Sequence, residues 1–243
     1  MKLSVIIPTY NEKDNINILY NTIKKEISGI DYEIIFVDDS KDGTDEEIKK
    51  LADPNIILEH RIEKSGLSSA VIRGIELATG EIIAVMDADM QHPPYLLKLM
   101  YEEIVNGADI CIPSRFIKGG SDGGLNIYRK LVSLVARKLA HIWLPNLRKI
   151  SDITSGIFCF KKKNLLKNKT LNPIGWKILL EVLTKSKFET VVEISYKFQK
   201  RYANETKLNN KIIYDYLKQL PILKKEQYKN KYKVVRKNVN EQI

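Results

Sequence analysis

Asp87-Ala88-Asp89 places two carboxylates one residue apart, directly after the apolar run Ile82-Ile83-Ala84-Val85-Met86. In an extended turn both can reach one hard cation, and Gln91 adds a neutral oxygen two positions on. Mg²⁺ and Mn²⁺ suit such a set. They take oxygen ligands, keep several waters and bridge to substrate phosphates, so a short acidic motif beside a diphosphate suffices. A lone pair of this kind is also consistent with a plain acidic loop at a strand end, so its surroundings decide. His92 follows, but imidazole suits softer metals, and Pro93-Pro94 turns the chain there. His60 and His141 have no carboxylate or histidine partner at a ligand spacing.

A second candidate group is cationic. Arg129 and Ser133 lie at i and i+4 in a segment, from about Leu125 to Leu144, whose apolar periodicity predicts a long helix, so both project from one face. The planar guanidinium fork binds oxyanions through paired hydrogen bonds and Ser adds a donor, so the two can grip one phosphate. A solvated basic face is the alternative. Ile127, Leu131, Val135, Ile142 and Trp143 belong to a broad apolar surface on the remaining arc, which Lys138 interrupts. This amphipathic helix could lie at a membrane interface or be covered by protein.

Elements must position these groups. Ser4-Val5-Ile6-Ile7, ended by Pro8, reads as a strand, and residues 14–28 read as a helix with Ile16, Leu19, Ile23 and Ile27 on one face and Asp14 placed to cap it. Tyr32 to Val37 is a second strand, ending in Asp38-Asp39-Ser40, with a helix from about Asp45 to Leu51. Ile56-Ile57-Leu58 and Ile82 to Met86 are further strands, separated by a helix from Leu67 to Ala78. The layout is βαβαβαβ, an α/β fold with a mostly parallel sheet flanked by helices, and such sheets bind ligands at the carboxyl ends of their strands. The turns at that edge gather Tyr10, Glu12, Asp38, Asp39, Asp87 and Asp89, too many acids for a lipid or DNA groove.

From Ala108 the pattern changes. Strands are predicted at Asp109 to Pro113, Gly156 to Phe160 and Val191 to Phe198, with a Gly-rich loop at 119–124 and an apolar-periodic segment near Trp176 to Leu183. Beyond Pro221 the Lys/Tyr-rich stretch Lys224 to Lys237 shows little patterned apolarity and is expected to be loosely held. The division expected is a catalytic domain over residues 1–210 and a C-terminal helix with a basic tail over 211–243.

Composition sets the outer bounds. With 243 residues, 44% apolar and 29% charged, the chain is an ordinary folded protein. Its net charge of +10 fits nucleic acid, anionic lipid or phosphate-bearing small molecules as partners. Cys111 and Cys159 sit in apolar runs without metal or disulfide spacing, which fits a reducing compartment. The first apolar stretch is too short for a signal peptide, and nowhere are there the roughly 18 consecutive apolar residues of a spanning helix. The expected location is the cytoplasmic face of a membrane, held peripherally, or the cytoplasm.

Four ordered motifs then share one resemblance: Val5-Ile6-Ile7-Pro8-Thr9-Tyr10-Asn11-Glu12, Val37-Asp38-Asp39-Ser40-x-Asp42-Gly43-Thr44, Gly66-Leu67-Ser68-Ser69-Ala70, and Asp87-Ala88-Asp89-Met90-Gln91-His92-Pro93-Pro94. The chain resembles the family 2 glycosyltransferases. Within them it is most similar to dolichol-phosphate mannose synthases and other polyprenyl-phosphate glycosyltransferases, through Ser114-Arg115-Phe116-x-x-Gly119-Gly120, Arg129-Lys130-x-x-Ser133 and Asp152-x-x-Ser155-Gly156-x-Phe158. Phe198-x-x-Arg201-x-x-Asn204-x-Thr206-Lys207 resembles a later family pattern, with Asn204 in place of the usual Gly and Thr206 in place of Ser.

The resemblance implies a GT-A, Rossmann-like fold. It places Pro8, Tyr10, Glu12, Asp39, Asp87 and Asp89 around the nucleotide sugar, and Asp87, Asp89 and Gln91 at Mg²⁺ or Mn²⁺. Arg115, Arg129, Ser133, Arg201 and Lys207 fall to the acceptor phosphate, and Asp87, Asp89 and Arg115 to catalysis. The implied partners are a nucleotide-diphosphate sugar, with GDP-mannose favoured, a polyprenyl phosphate, and a membrane surface reached directly or through a membrane-spanning subunit. No nucleic acid is expected. Rival readings are transfer to a sugar or protein hydroxyl with Asp152 or a metal-site neighbour as base, a nucleotidyltransferase, and a basic nucleic-acid-binding module using the Lys-rich tail.

Overall fold

The computed structural model describes the chain apart from residues 63–65, 124, 126, 167–169, 173, 175–176, 201–209 and 240–243. The described strands are β1 (Leu3–Thr9), β2 (Tyr32–Asp38), β3 (Ile56–His60), β4 (Ile82–Val85), β5 (Ile110–Ser114), β6 (Phe158–Lys161), β7 (Thr190–Ser195) and β8 (Lys233–Lys237). They form one eight-stranded sheet in the order β3-β2-β1-β4-β6-β5-β7-β8. Neighbours pair in parallel except β6, which is antiparallel to β4 and β5. Its helices are α1 (Ile16–Glu26), α2 (Thr44–Lys50), α3 (Leu67–Leu77), α4 (Tyr95–Val105), α5 (Ile127–Trp143), α6 (Ile178–Thr184) and α7 (Asn210–Glu226).

Alternation along β1 shows how the layers arise. Leu3, Val5 and Ile7 enter the core built with α1, α2 and α4, whereas Ile6 enters the core built with α3, α5, α6 and α7. Every one of these side chains is fully buried, as expected for β-branched and aliphatic residues of a strand covered on both faces. The result is a three-layer α/β/α unit. From β1 the chain winds outward through β2 and β3, then crosses to β4 on the other side. This leaves a crevice at the carboxyl ends of β1 and β4, the usual ligand position in such sheets.

Three expectations are corrected. Pro93-Pro94 does more than turn the chain: Pro94 sits at φ −60° at the start of α4, whose Leu96, Leu97, Met100 and Ile104 are buried. Asp14 does not cap α1, because a 3₁₀ turn over Lys13–Asn15 precedes the helix and Asp14 itself is exposed. The stretch Lys224 to Lys237, expected to be loosely held, ends in β8, paired with β7 from Thr190 with Lys233 to Ile194 with Lys237. Its anchors are few: Tyr232 and Val239 are buried, Val234 and Val235 pack against opposite cores, and the Tyr232 hydroxyl donates to Leu183 O at 2.8 Å. Lysines between those anchors hide the strand pattern, and charged residues are how an edge strand avoids further pairing.

Candidate active site

The first half of the site stands on β1, β2, β3 and β4. Asp38 and Asp39 are successive residues at the end of β2. Asp38 is fully buried and accepts from Thr9 Oγ1 at 2.7 Å and Ser40 Oγ at 2.5 Å, with His60 Nδ1 at 2.7 Å from its other oxygen. His60 therefore has the carboxylate partner that its sequence spacing does not show, because β3 lies beside β2 with His60 opposite Asp38. Asp39 is held by both Nε and Nη2 of Arg61, at 2.6 and 2.7 Å, and Arg61 Nη1 reaches Ser69 Oγ on α3 at 2.9 Å. Arg61 is a site residue that sequence reasoning missed. The signal was present as a basic residue ending the strand beside an acid-ended one. Pro8 is buried in β1, Tyr10 is half-buried beside it, and Glu12 is buried with Asn15 Nδ2 donating to Oε2 at 2.6 Å.

Asp38, Asp45 and His60 bring ligand atoms within 4.8 Å of one another, close enough to hold a metal ion. Asp38 and His60 are bonded to each other and Asp45 pairs with Lys49 at 2.7 Å.

At the end of β4, Asp87 is about one-third exposed, with a side-chain accessibility of 32%, and Asp89 is buried. Met90 takes φ 61°, bending the chain so that Gln91 N–H donates to Asp89 Oδ1 at 3.0 Å. Gln91 is buried and its Nε2 donates to Gln199 O at 3.2 Å. The loop before β6 closes on this motif, and a Cβ on Gly156 would press on the Asp87 carboxylate, so glycine there lets the backbone lie against it without displacing it. His92 is buried, with Nδ1 3.0 Å from the Tyr196 hydroxyl and Nε2 3.7 Å from Asp87 Oδ2. Burial first, then the Arg115 charge, push its pKa down to about 3, so the imidazole is neutral and unsuited to acid catalysis at ordinary pH. Paired carboxylate oxygens at a solvent-reached strand end fit Mg²⁺ or Mn²⁺ by donor chemistry.

The second half gathers around Arg115, at the end of β5. Its Nε and Nη2 pair with Asp152 Oδ2 and Oδ1 at 2.8 and 2.9 Å, and the ring centroids of Phe116 and Phe198 lie 5.0 and 5.3 Å from the guanidinium carbon. Both partners are buried; burial opposes ionisation of each, and their mutual attraction outweighs it, raising the arginine pKa and lowering the aspartate's. Asp152 is thereby withdrawn from the base role considered for a hydroxyl acceptor. A Cβ on Gly120 would stand 2.6 Å from Ser114 O, so the Gly-rich loop packs directly on the Arg115 backbone. Arg129 and Ser133 lie half-buried on α5.

Lys177 connects the two halves and was also missed, its only signal being a lysine set in an apolar-periodic segment. It is half-buried and donates to Thr154 O at 2.7 Å. Burial and the Arg115 charge push its pKa down to about 8 against Asp87 and Asp152, with Arg129 adding to the depression, so all four groups lie within its electrostatic reach. Arg201 and Lys207, with Asn204 and Thr206, lie outside the described residues.

Against this geometry, residues 4–176 match the family model described as glycosyl transferase family 2. The chain is a family 2 glycosyltransferase. This glycosyltransferase is 45% identical to the dolichol-phosphate mannosyltransferase of Pyrococcus furiosus over 222 residues, 90% of this chain and 63% of that protein. It thus spans less than two thirds of that relative's length. It is 36% identical to the dolichol-phosphate mannosyltransferase of Saccharomyces cerevisiae over 234 residues, covering 90% of this chain and 86% of the yeast protein. Among solved structures it is similar to glucosyl-3-phosphoglycerate synthase from Mycobacterium tuberculosis in complex with Mn²⁺, UDP-glucose and phosphoglyceric acid. There the TM-score is 0.65 at 16% identity, over 90% of this chain and 79% of that one. At that identity the likeness shows the fold, which is GT-A.

Proposed function

We propose that this glycosyltransferase transfers mannose from GDP-mannose to a polyprenyl phosphate of the dolichyl type, with inversion at the anomeric carbon. The observation that carries the reading is the division of one crevice. Carboxylates stand at the ends of β2 and β4, and the half-buried Lys177 lies within electrostatic reach of Asp87 on one side and of Arg115, Asp152 and Arg129 on the other. The relatives named as dolichol-phosphate mannosyltransferases support the choice of substrates.

Asp39, Glu12 and Tyr10 hold the nucleotide, a carboxylate accepting from ribose or base donors. Asp87 and Asp89, with Gln91, would hold Mg²⁺ or Mn²⁺, whose charge, when the ion is bound, offsets that of the diphosphate. Arg115, Arg129 and Ser133, joined by Arg201 and Lys207, bind the acceptor phosphate and orient one of its oxygens toward the anomeric carbon. That oxygen forms the new bond as the bond to the nucleoside diphosphate breaks. An ionised phosphate needs no strong base, consistent with a neutral His92 and an Asp152 committed to Arg115.

The reading also places the protein peripherally on a membrane. No helix among the described residues is long and apolar enough to cross one. Yet α5 exposes Ile127, Leu131, Val135 and Ile142, and its neighbour α7, whose Tyr216 hydroxyl donates to Ala136 O at 2.6 Å, exposes Ile213, Tyr214 and Leu217. Packing of α7 against α5 leaves these side chains uncovered, which favours a lipid surface over a protein cover. A membrane-spanning partner subunit is the other route of attachment.

The test is purified protein with GDP-mannose or UDP-glucose, a short polyprenyl phosphate, and Mg²⁺ or Mn²⁺, scored by lipid-linked radiolabel. Label from GDP-mannose in the lipid is expected. Label passing only to hydroxyl acceptors, or only from UDP-glucose, contradicts the assignment.

A further inference from the structure

Alternation along β7 places Val191 in one core and Val192 and Ile194 in the other, and Glu193 occupies a position where an apolar residue is expected. Glu193 is fully buried. A buried carboxyl group is costly unless its oxygens are satisfied, so the donors it collects show what it holds. Oε1 accepts from Ser151 N at 2.7 Å, Ser151 Oγ at 2.6 Å and Asp152 N at 3.3 Å. Oε2 accepts from Arg236 Nε, on β8, at 3.1 Å, and Arg236 Nη2 donates to Lys149 O at 2.7 Å.

The hydrogen bonds continue to Arg115. Ser151 has one hydroxyl proton and gives it to Glu193, so at the 2.6 Å contact between Ser151 and Ser114 the donor is Ser114. Ser114 Oγ in turn accepts from Phe116 N at 3.1 Å. Arg115 is therefore flanked by two residues tied to Glu193 through Ser151, while Asp152, whose backbone Glu193 also holds, pairs with its guanidinium. Three strands and the loop before β6 converge on one carboxyl group. Its hydrogen bonds reach the Arg115 guanidinium only through Ser151 and Asp152.

We propose that Glu193 is a positioning residue of the acceptor half of the site. By fixing Ser151 and Asp152 it sets the direction of Arg115, and through Arg236 it makes the C-terminal strand part of the same assembly. This inference rests on the reading that Arg115 serves the acceptor phosphate.

Glu193→Gln keeps the shape but turns an amide nitrogen toward groups that are themselves donors. Steady-state transfer, calorimetric binding of GDP-mannose with Mn²⁺, and hydrogen exchange of the Arg115 Nε–H by nuclear magnetic resonance test the proposal together. Expected are a rise in acceptor KM of about tenfold or more, because a misdirected phosphate ligand loses orientation, a donor Kd within about twofold of the parent, and faster exchange at Arg115. Arg236→Gln, at a residue whose side chain is 54% exposed, should show the same pattern more weakly, and decides the matter if Glu193→Gln does not fold. Unchanged acceptor KM with unchanged Arg115 exchange overturns the proposal, as does loss of donor and acceptor binding in parallel with the folded fraction. If the parent protein transfers nothing to polyprenyl phosphate, the functional reading fails by itself, and Arg115 exchange still decides whether Glu193 positions it.

Discussion

The two halves of the crevice are assembled by different means. In the half we propose for the donor each acid stands at the end of its own strand, Asp39 after β2 and Asp87 and Asp89 after β4; Arg61 from the neighbouring parallel strand supports Asp39, as His60 supports Asp38, and the turn after β4 supports Asp89. In the half we propose for the acceptor Arg115 follows β5, Asp152 precedes β6, Glu193 lies on β7 and Arg236 on β8, and these groups hold one another. A group placed by its own strand can be changed without disturbing the frame. One placed by mutual contacts cannot, so the donor half should separate chemistry from stability and the acceptor half should couple them.

The sharpest way to break this contrast is to alter one acid in each half. Asp152→Asn leaves the Arg115 guanidinium buried without its counter-charge, which should cost about 3–5 kcal/mol of stability, read as a large fall in the denaturation midpoint. Asp89→Asn should instead leave that midpoint within about 1 kcal/mol of the parent. It should reduce transfer roughly 100-fold or more, the order found when one preorganised charge-stabilising group is lost. Full turnover of Asp89→Asn in EDTA contradicts the metal assignment, and a midpoint for Asp152→Asn equal to the parent contradicts the coupling.

Glu33, at the opposite end of the sheet from the crevice, sharpens the comparison as a buried acid with no part in the chemistry. Burial alone raises its pKa, but donors from Lys2, Ser4 and Thr79 outweigh this and hold it at about 2. Because the folded pKa lies below the unfolded one, its stabilisation is complete above about pH 4.5 and is lost as pH falls toward 2. Glu33→Gln should destabilise the protein near neutrality, flatten the acid limb of a stability-against-pH curve, and leave KM and kcat unchanged in the folded fraction.

The smallest effects belong to the exposed apolar face. Leu131→Ser and Ile142→Ser, at residues 57% and 65% exposed, should each alter stability by no more than about 0.5 kcal/mol. Together they should weaken flotation with liposomes, since each removes about 1 kcal/mol or more of apolar burial in the bilayer. Equal flotation of parent and double variant removes α5 from the attachment.

The contrast between the halves also explains what the sequence could disclose. Asp38-Asp39, Asp87-Ala88-Asp89 and the β-branched runs before them are legible because each acidic motif directly follows its own strand in the sequence. Arg61 and His60 were hidden because their partners stand on a neighbouring strand, 22 residues earlier. Glu193 was harder still. A lone acid in an apolar strand gives no sign of its partners when these are Ser151, 42 residues before it, and Arg236, 43 after. The last strand escaped notice for a compositional reason, since Lys233, Lys237 and the lysines before them outnumber the residues that anchor it.

The central claim is that donor and acceptor are held by different residues in one crevice. Its most direct test is Arg129→Ala, measured by titration with GDP-mannose and Mn²⁺ and by a steady-state series in polyprenyl phosphate. Loss of one charge-assisted contact, worth about 1.5–3 kcal/mol, should raise the acceptor KM roughly 10- to 100-fold, while donor affinity barely changes. Unchanged acceptor kinetics together with a large loss of donor affinity would place Arg129 in the donor half and contradict the account.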